Sequence, residues 1–268
     1  MKSYNCVVCI KQVPDTKRVT GEAMKADGTI NRAALPAIFN PEDRNALEAA
    51  LWVKETYGGM VTVITMGLPA AKTILREALM CGADRAVLVT DRKAAGSDTL
   101  ATSYILSQAV KRFNPDLVFC GRQAIDGDTA QVGPQVAEKL GLTQITYTEE
   151  IISLDKEAGK IVAKRHIDGG VETVEGPLPI VVTVNGSAAP CRVRNVKRVW
   201  ANKNREFPIW GAADIEADPA QIGKAGSPTN VKAVKSIVFK AKENKTLTSS
   251  DADVESLIVE LMESNTIG

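Results

Sequence analysis

Leu117-Val118-Phe119-Cys120 runs directly into Gly121-Arg122-Gln123-Ala124-Ile125-Asp126-Gly127-Asp128-Thr129-Ala130-Gln131-Val132-Gly133, and helical spacing then continues to Leu140-Gly141. A short apolar run, a loop of small and polar residues, and an apolar stripe at helical period make one strand-loop-helix unit. The theme recurs: residues 4–10, 60–66 and 86–90 are β-branched or apolar runs, each followed by a loop and a helical pattern, and 178–184 is a further strand. Strands alternating with helices over the first 150 residues predict an α/β fold, a parallel sheet covered by helices on both faces.

The helices carry their own punctuation. Asn40 stands where an N-cap belongs, Pro41 takes the first helical position, and Glu42 and Asp43 suit the positive end of the dipole. Leu47, Ala50 and Leu51 form the stripe, and Gly58-Gly59 stops it. Ile74, Leu75, Ala78 and Leu79 make a second stripe ending at Gly82. A third helix follows Ser97-Asp98 and ends at Asn114-Pro115, and a fourth is expected from about Thr129 to Leu140.

From Ile151 the pattern alternates apolar with polar, which predicts a β-hairpin extension over 151–176 and closes a nucleotide-binding unit at 1–186. Beyond Asn185-Gly186 the alternation fades among Pro190, Pro208, Pro219 and Pro228, so residues 187–268 are expected to form an extended arm lying along another chain. Ser250 caps a final helix whose stripe, Val254, Leu257, Ile258 and Leu261, needs a partner surface.

Composition narrows the function. The 268 residues are 44% hydrophobic and 24% charged, as in a folded globular chain. Thirty-three Lys and Arg against 32 Asp and Glu leave a charge of +1, which supplies no general field for nucleic acid or an anionic membrane. No apolar run reaches the roughly 18 residues of a bilayer span, and the first ten residues carry no cleavage pattern, so a cytoplasmic location without membrane insertion is expected. The five cysteines, Cys6, Cys9, Cys81, Cys120 and Cys191, lie mostly in apolar runs and are read as packing residues rather than a disulfide scaffold. Cys6 and Cys9 resemble a metal or redox pair in spacing, but three residues apart on a strand puts them on opposite faces. The single histidine, His166, sits in a charged hairpin run as a solvated strand residue. No catalytic residue and no metal ligand is assigned.

In a parallel sheet, ligands bind beyond the carboxyl ends of the strands, where helix N-termini suit phosphate. Four loops converge there: residues 11–16, 66–69, 90–99 and 121–133. The last joins glycine hinges, one cation and several amide or hydroxyl groups, and reads either as a nucleotide cradle or as a well-turned surface loop. Asp126-Gly127-Asp128 lacks the further carboxylates that a calcium loop requires.

Val7-Val8-Cys9-Ile10-Lys11-Gln12-Val13-Pro14-Asp15, Phe39-Asn40-Pro41-Glu42-Asp43, Gly82-Ala83-Asp84-Arg85-Ala86, the 121–133 loop, and Lys164-Arg165-His166-Ile167-Asp168-Gly169-Gly170-Val171-Glu172-Thr173-Val174 with Gly176-Pro177-Leu178-Pro179-Ile180 occur in order. Together they resemble the beta (small) subunit of electron-transfer flavoproteins from end to end. The resemblance implies a doubly wound, Rossmann-like fold that binds an adenine nucleotide and pairs with an FAD-carrying alpha subunit. By the same similarity the nucleotide contacts fall on Cys9, Asn40, Pro41, Glu42, Asp43, Met66 and the loop Gly121, Arg122, Gln123, Ala124, Ile125, Asp126, Gly127, Asp128, Thr129, Ala130, Gln131 and Gly133. Residues 11–16, and Asp98, Thr99 and Thr102 at a helix start, look like the electron-bifurcating group. For that group the resemblance implies a second FAD reduced by NADH, electrons passing to or from a flavin dehydrogenase, and ferredoxin or flavodoxin as acceptor. The alternatives are a structural AMP, or a non-redox regulatory nucleotide-binding domain. Residues 192–205 hold six Lys or Arg and no acid where common members have an apolar docking tip. That run is expected to be either a solvated loop or a dock for an acidic partner.

Overall fold

The computed structural model describes residues 3–15, 36–229, 245–264 and 266–267. It divides into two compact units, 1–234 and 235–268. Thr16, which closes the first predicted loop, lies outside the described residues.

In the larger unit β1 (Tyr4–Cys9), β4 (Gly59–Met66), β5 (Arg85–Val89), β6 (Leu117–Gly121) and β10 (Ile180–Val184) are the parallel strands expected from their runs. Two short strands, β2 (Gln12–Pro14) and β3 (Ala37–Phe39), pair antiparallel beside them. Among the described residues the main sheet runs β11-β5-β4-β1-β6-β10-β7-β8-β9, where β7 is Thr143–Asp155, β8 is Lys160–Ile167, β9 is Gly170–Pro177 and β11 is Ile209–Trp210. The winding goes one way from β1 to β4 and β5, and the other way from β6 to β10. The switch point is therefore the seam between β1 and β6.

Helices α1 (Pro41–Tyr57) and α2 (Lys72–Cys81) pack on one face of the sheet, and α3 (Thr99–Lys111) and α4 (Val132–Leu140) on the other. Strand parity decides which residue meets which layer: Cys6 and Val8 join the first core, Val7 and Cys9 the second. The two cysteines therefore do lie on opposite faces. Leu47 and Leu51 of α1 are fully buried, each contributing about 2 kcal/mol of burial.

Three local expectations change. The fourth helix begins at Val132 rather than near Thr129, because Asp128 and Ala130 take left-handed φ values of 49° and 52° that a right-handed helix does not admit. The hairpin's first strand starts at Thr143 and not at Ile151: β7 pairs parallel with β10 through one register shift and antiparallel with β8 through two more. Asn40 makes no side-chain cap on α1.

The stretch read as an arm from residue 187 is held on this chain's own helices and sheet as far as it is described in the larger unit. Arg192 grips Glu48 at 2.8 Å and also pairs with Glu55. Helix α5 (Val196–Asn202) sends Arg198 to the Cys81 carbonyl at 2.9 Å, β11 pairs with β5, and Ile215, Ala217 and Ile222 are buried beneath α3. In the smaller unit α6 (Asp251–Glu263) is capped by Ser250, whose hydroxyl accepts from the Asp253 N–H. Val254, Leu257, Ile258 and Met262 of α6 are exposed. No helix of the described residues is long and apolar enough to cross a membrane.

Candidate functional site

A cleft of about 380 Å³ opens at the carboxyl ends of β1 and β6, where the winding reverses. This is where the topology of an open parallel sheet leaves room for a ligand. Its floor is Cys9 and Cys120, register partners on adjacent strands, with Met66 at the end of β4 and Leu106 on α3. Contact with Cys9 and burial push the Cys120 thiol well above its ordinary value, so it stays protonated.

The loop between β6 and α4 forms one wall. Gly121 through Ala124, Gly127 through Gln131 and Gly133 all reach the cleft, while Ile125 and Asp126 do not. Asp126 is drawn aside by the Lys11 ammonium at 2.7 Å, and Asp128 receives the Gln123 amide at 3.2 Å. The two acids flanking Gly127 thus have separate partners. Asp98, Thr99 and Thr102 line the opposite wall at the start of α3. The Asp98 carboxylate accepts from the Ala101 N–H at 3.0 Å and from Thr229, and those hydrogen bonds hold it below the usual carboxylate range against burial. Thr99 and Gln131 bridge the walls at 2.8 Å.

The first turn of α1 serves the site from underneath. Of the four residues expected there, Asp43 alone faces the cleft; Asn40, Pro41 and Glu42 do not. Asn40, fully buried, donates to the Gln123 carbonyl at 2.8 Å and accepts from the Ile125 N–H at 3.2 Å. Glu42 accepts from the Gln123 N–H at 2.8 Å and pairs with Arg122 at 3.0 Å. Arg122 is the cation expected to meet a phosphate, and it is already paired with this acid while stacked 5.4 Å from the Tyr147 ring centre. Asp43 accepts from the Lys11 N–H at 2.8 Å and the Gly121 N–H at 3.1 Å.

Two glycines of the loop are set by close approach. A Cβ at Gly121 would lie 2.4 Å from the Asp43 carboxylate, and one at Gly133 would lie 2.5 Å from the Thr183 methyl. Gly127 has open space around it.

Sequence reasoning placed Ser97 and Val132 in converging loops without singling them out, and missed Ile10, Leu106 and Cys120 in the lining. Leu106 lies four residues after Thr102, one helical turn along the same face, and Cys120 shares strand parity and register with Cys9. Both signals were present in the spacing.

The fold and the cleft define a doubly wound α/β protein with a cleft at the switch point of its sheet. Residues 27–214 match the electron transfer flavoprotein domain. The chain is 48% identical over 228 residues to the electron transfer flavoprotein subunit beta of Clostridium acetobutylicum, covering 85% of this chain and 86% of that one. It is 43% identical over 262 residues to protein FixA of Azorhizobium caulinodans, covering 95% and 92%. The electron transfer flavoprotein subunit beta of Megasphaera elsdenii is 44% identical over 236 residues, covering 85% and 86%. The chain belongs to the electron transfer flavoprotein family, in its beta-subunit and FixA branch, and its role is in electron transfer.

Proposed function

We propose that the switch-point cleft binds an adenine nucleotide, and that in the working complex this nucleotide is an FAD reduced by NADH for electron bifurcation. The observation that carries the reading is the cleft itself: an apolar floor of Cys9, Met66 and Leu106 under a wall whose loop holds two residues in left-handed backbone. Such strain costs about 1–3 kcal/mol per residue and persists where a site demands it. The donor set fits the group. The floor suits a planar heteroaromatic ring, Thr99, Thr129, Gln123 and Gln131 offer hydroxyl and amide groups, and the first turn of α4, where helix N–H groups lack intrahelical partners, lines the cleft at Val132 and Gly133. With Arg122 and Lys11 both committed to acids, backbone N–H groups are the main answer to phosphate. A flavin held there supplies hydride acceptance and release of electrons one at a time.

The exposed stripe of α6 suits an alpha subunit, and the exposed Arg194, Lys197 and Trp200 suit a partner dehydrogenase with an acidic surface, with ferredoxin or flavodoxin as the low-potential acceptor. The test is flavin and AMP stoichiometry after co-expression with the alpha subunit. Two FAD per heterodimer are expected. One FAD with one AMP would replace the bifurcating reading by the structural-nucleotide one, and a complex without nucleotide in this chain would remove both.

A further inference from the structure

Asp43 is 7% exposed, and among the described residues no cation pairs with it. Its two oxygens accept instead from two backbone N–H groups, Lys11 just beyond β1 and Gly121 at the end of β6, with the Asn40 amide also favouring its charge. These are the two strands between which the winding reverses, so no loop directly joins the two edges of the cleft. The fit is close: a Cβ at Gly121 would also come within 2.7 Å of the Asp43 nitrogen.

We propose that Asp43 is a positioning residue whose ionised carboxylate clamps the ends of β1 and β6 at the spacing the cleft needs to hold its nucleotide. The proposal rests on the nucleotide reading of that cleft. An ionised carboxylate only accepts, so both oxygens can face donors; a proton on either oxygen faces an N–H, and that strand end is released. Burial raises the carboxyl to about 7, against the hydrogen bonds from Asn40, Lys11 and Gly121 that favour its charge. The clamp therefore changes state near neutral pH. The charged and titratable groups around it are Lys11, paired with Asp126; Glu42 and Arg122, paired with each other; Arg44, turned to Glu77; and the thiols of Cys9 and Cys120. A carboxylate in the lining also repels phosphate, so simple repulsion predicts the opposite pH slope.

The test titrates the full chain with AMP and with FAD between about pH 5.5 and 8.5, following heat and flavin fluorescence. Wild-type affinity is expected to fall about tenfold on acidification through pH 7, the loss of one charge-assisted hydrogen bond. Asp43→Asn presents one acceptor and one donor, so it should bind about tenfold more weakly at high pH, with a flat profile. At pH 8 it should melt within a few degrees of wild type, because the lost hydrogen bond and the relieved cost of a buried charge oppose each other. A merely structural role would lower melting and affinity together and overturns the proposal. So does affinity that rises on acidification, or a pH profile shared by both proteins. Should the variant not fold, protection of the Lys11 and Gly121 amides in wild type, relative to Val8 and Phe119, carries the test: it must fall on acidification, and constant protection overturns the clamp. Wild type that binds neither nucleotide at any pH would overturn the nucleotide reading and the proposal with it, whereas a bound nucleotide with a flat profile overturns the clamp alone.

Discussion

Replacing Gly121 and Gly127 separately by Ala sets two glycines of one loop against each other. At Gly121 the added carbon lands 2.4 Å from Asp43 Oδ1, 2.7 Å from Asp43 N and 2.8 Å from the Glu42 carbonyl carbon. Two of those three atoms are backbone, so the start of α1 must move away from β6. Overpacking of this kind costs about 1–3 kcal/mol, and losing the hydrogen bond from the Gly121 N–H to a carboxylate adds roughly 1.5–3 kcal/mol. Because one displacement relieves the overlap and lengthens the bond together, the two do not sum fully, and about 3 kcal/mol is expected. In a unit of this size that lowers Tm by roughly 6–12 °C. At Gly127 nothing lies within 4 Å and φ is outside the left-handed region, so Ala should be neutral or stabilise by up to about 0.5 kcal/mol through the unfolded chain. Thermal unfolding followed by far-ultraviolet circular dichroism, with urea melts for the free energies, measures both. Equal melting of the two variants, or a larger loss at Gly127, would refute the argument that close packing against α1 selects glycine in this loop.

Asn40→Asp keeps a good N-cap residue but places a carboxylate oxygen against the Gln123 carbonyl, 2.8 Å from the present amide; urea melts should show a loss of about 2 kcal/mol or more, whereas a capping role would leave stability unchanged. Arg192→Ala removes the partner of Glu48 and Glu55 and should cost about 1 kcal/mol at pH 7 after allowance for solvent screening. Arg192 holds the Glu55 carboxyl below its ordinary 4.5, so this stability is present above that pH and is lost as pH falls through the depressed value; the gap between variant and wild type should close in acid melts. Reversing Arg194 and Lys197 to Glu should slow electron delivery to a cognate dehydrogenase and flatten its salt dependence, with NADH oxidation unaffected; stopped-flow rates insensitive to both changes would leave this basic stretch without a docking role. Arg198 does not belong in that variant, since it is committed to the Cys81 carbonyl.

Much of this protein is legible along the chain because its signals are local. Apolar runs of five to eight residues separated by helical stripes specify β1, β4, β5, β6 and β10 and the helices between them, since burial on two faces demands such runs wherever the strand sits. The position of the cleft follows from the same alternation, and Cys9, Met66, Thr99 and the 121–133 loop reach it because they end strands or begin helices. Other features depend on what a side chain meets across the fold. Asn40 and Glu42 have the sequence credentials of a helix start, yet the nearness of the β6 loop turns both into its supports. Arg122 is a cation in a ligand loop, and only the packing of α1 beneath it supplies the acid that occupies it. The six cations of 192–205 form one run in sequence, but Arg192 and Arg198 turn inward to Glu48 and to the Cys81 carbonyl, and Arg205 is tied at the surface to the Asp84 carbonyl, leaving the others to solvent. Local spacing decides which elements form because the backbone and burial terms are short-ranged. Partner choice among polar side chains is decided by neighbours far apart in sequence, and only the tertiary structure brings those together.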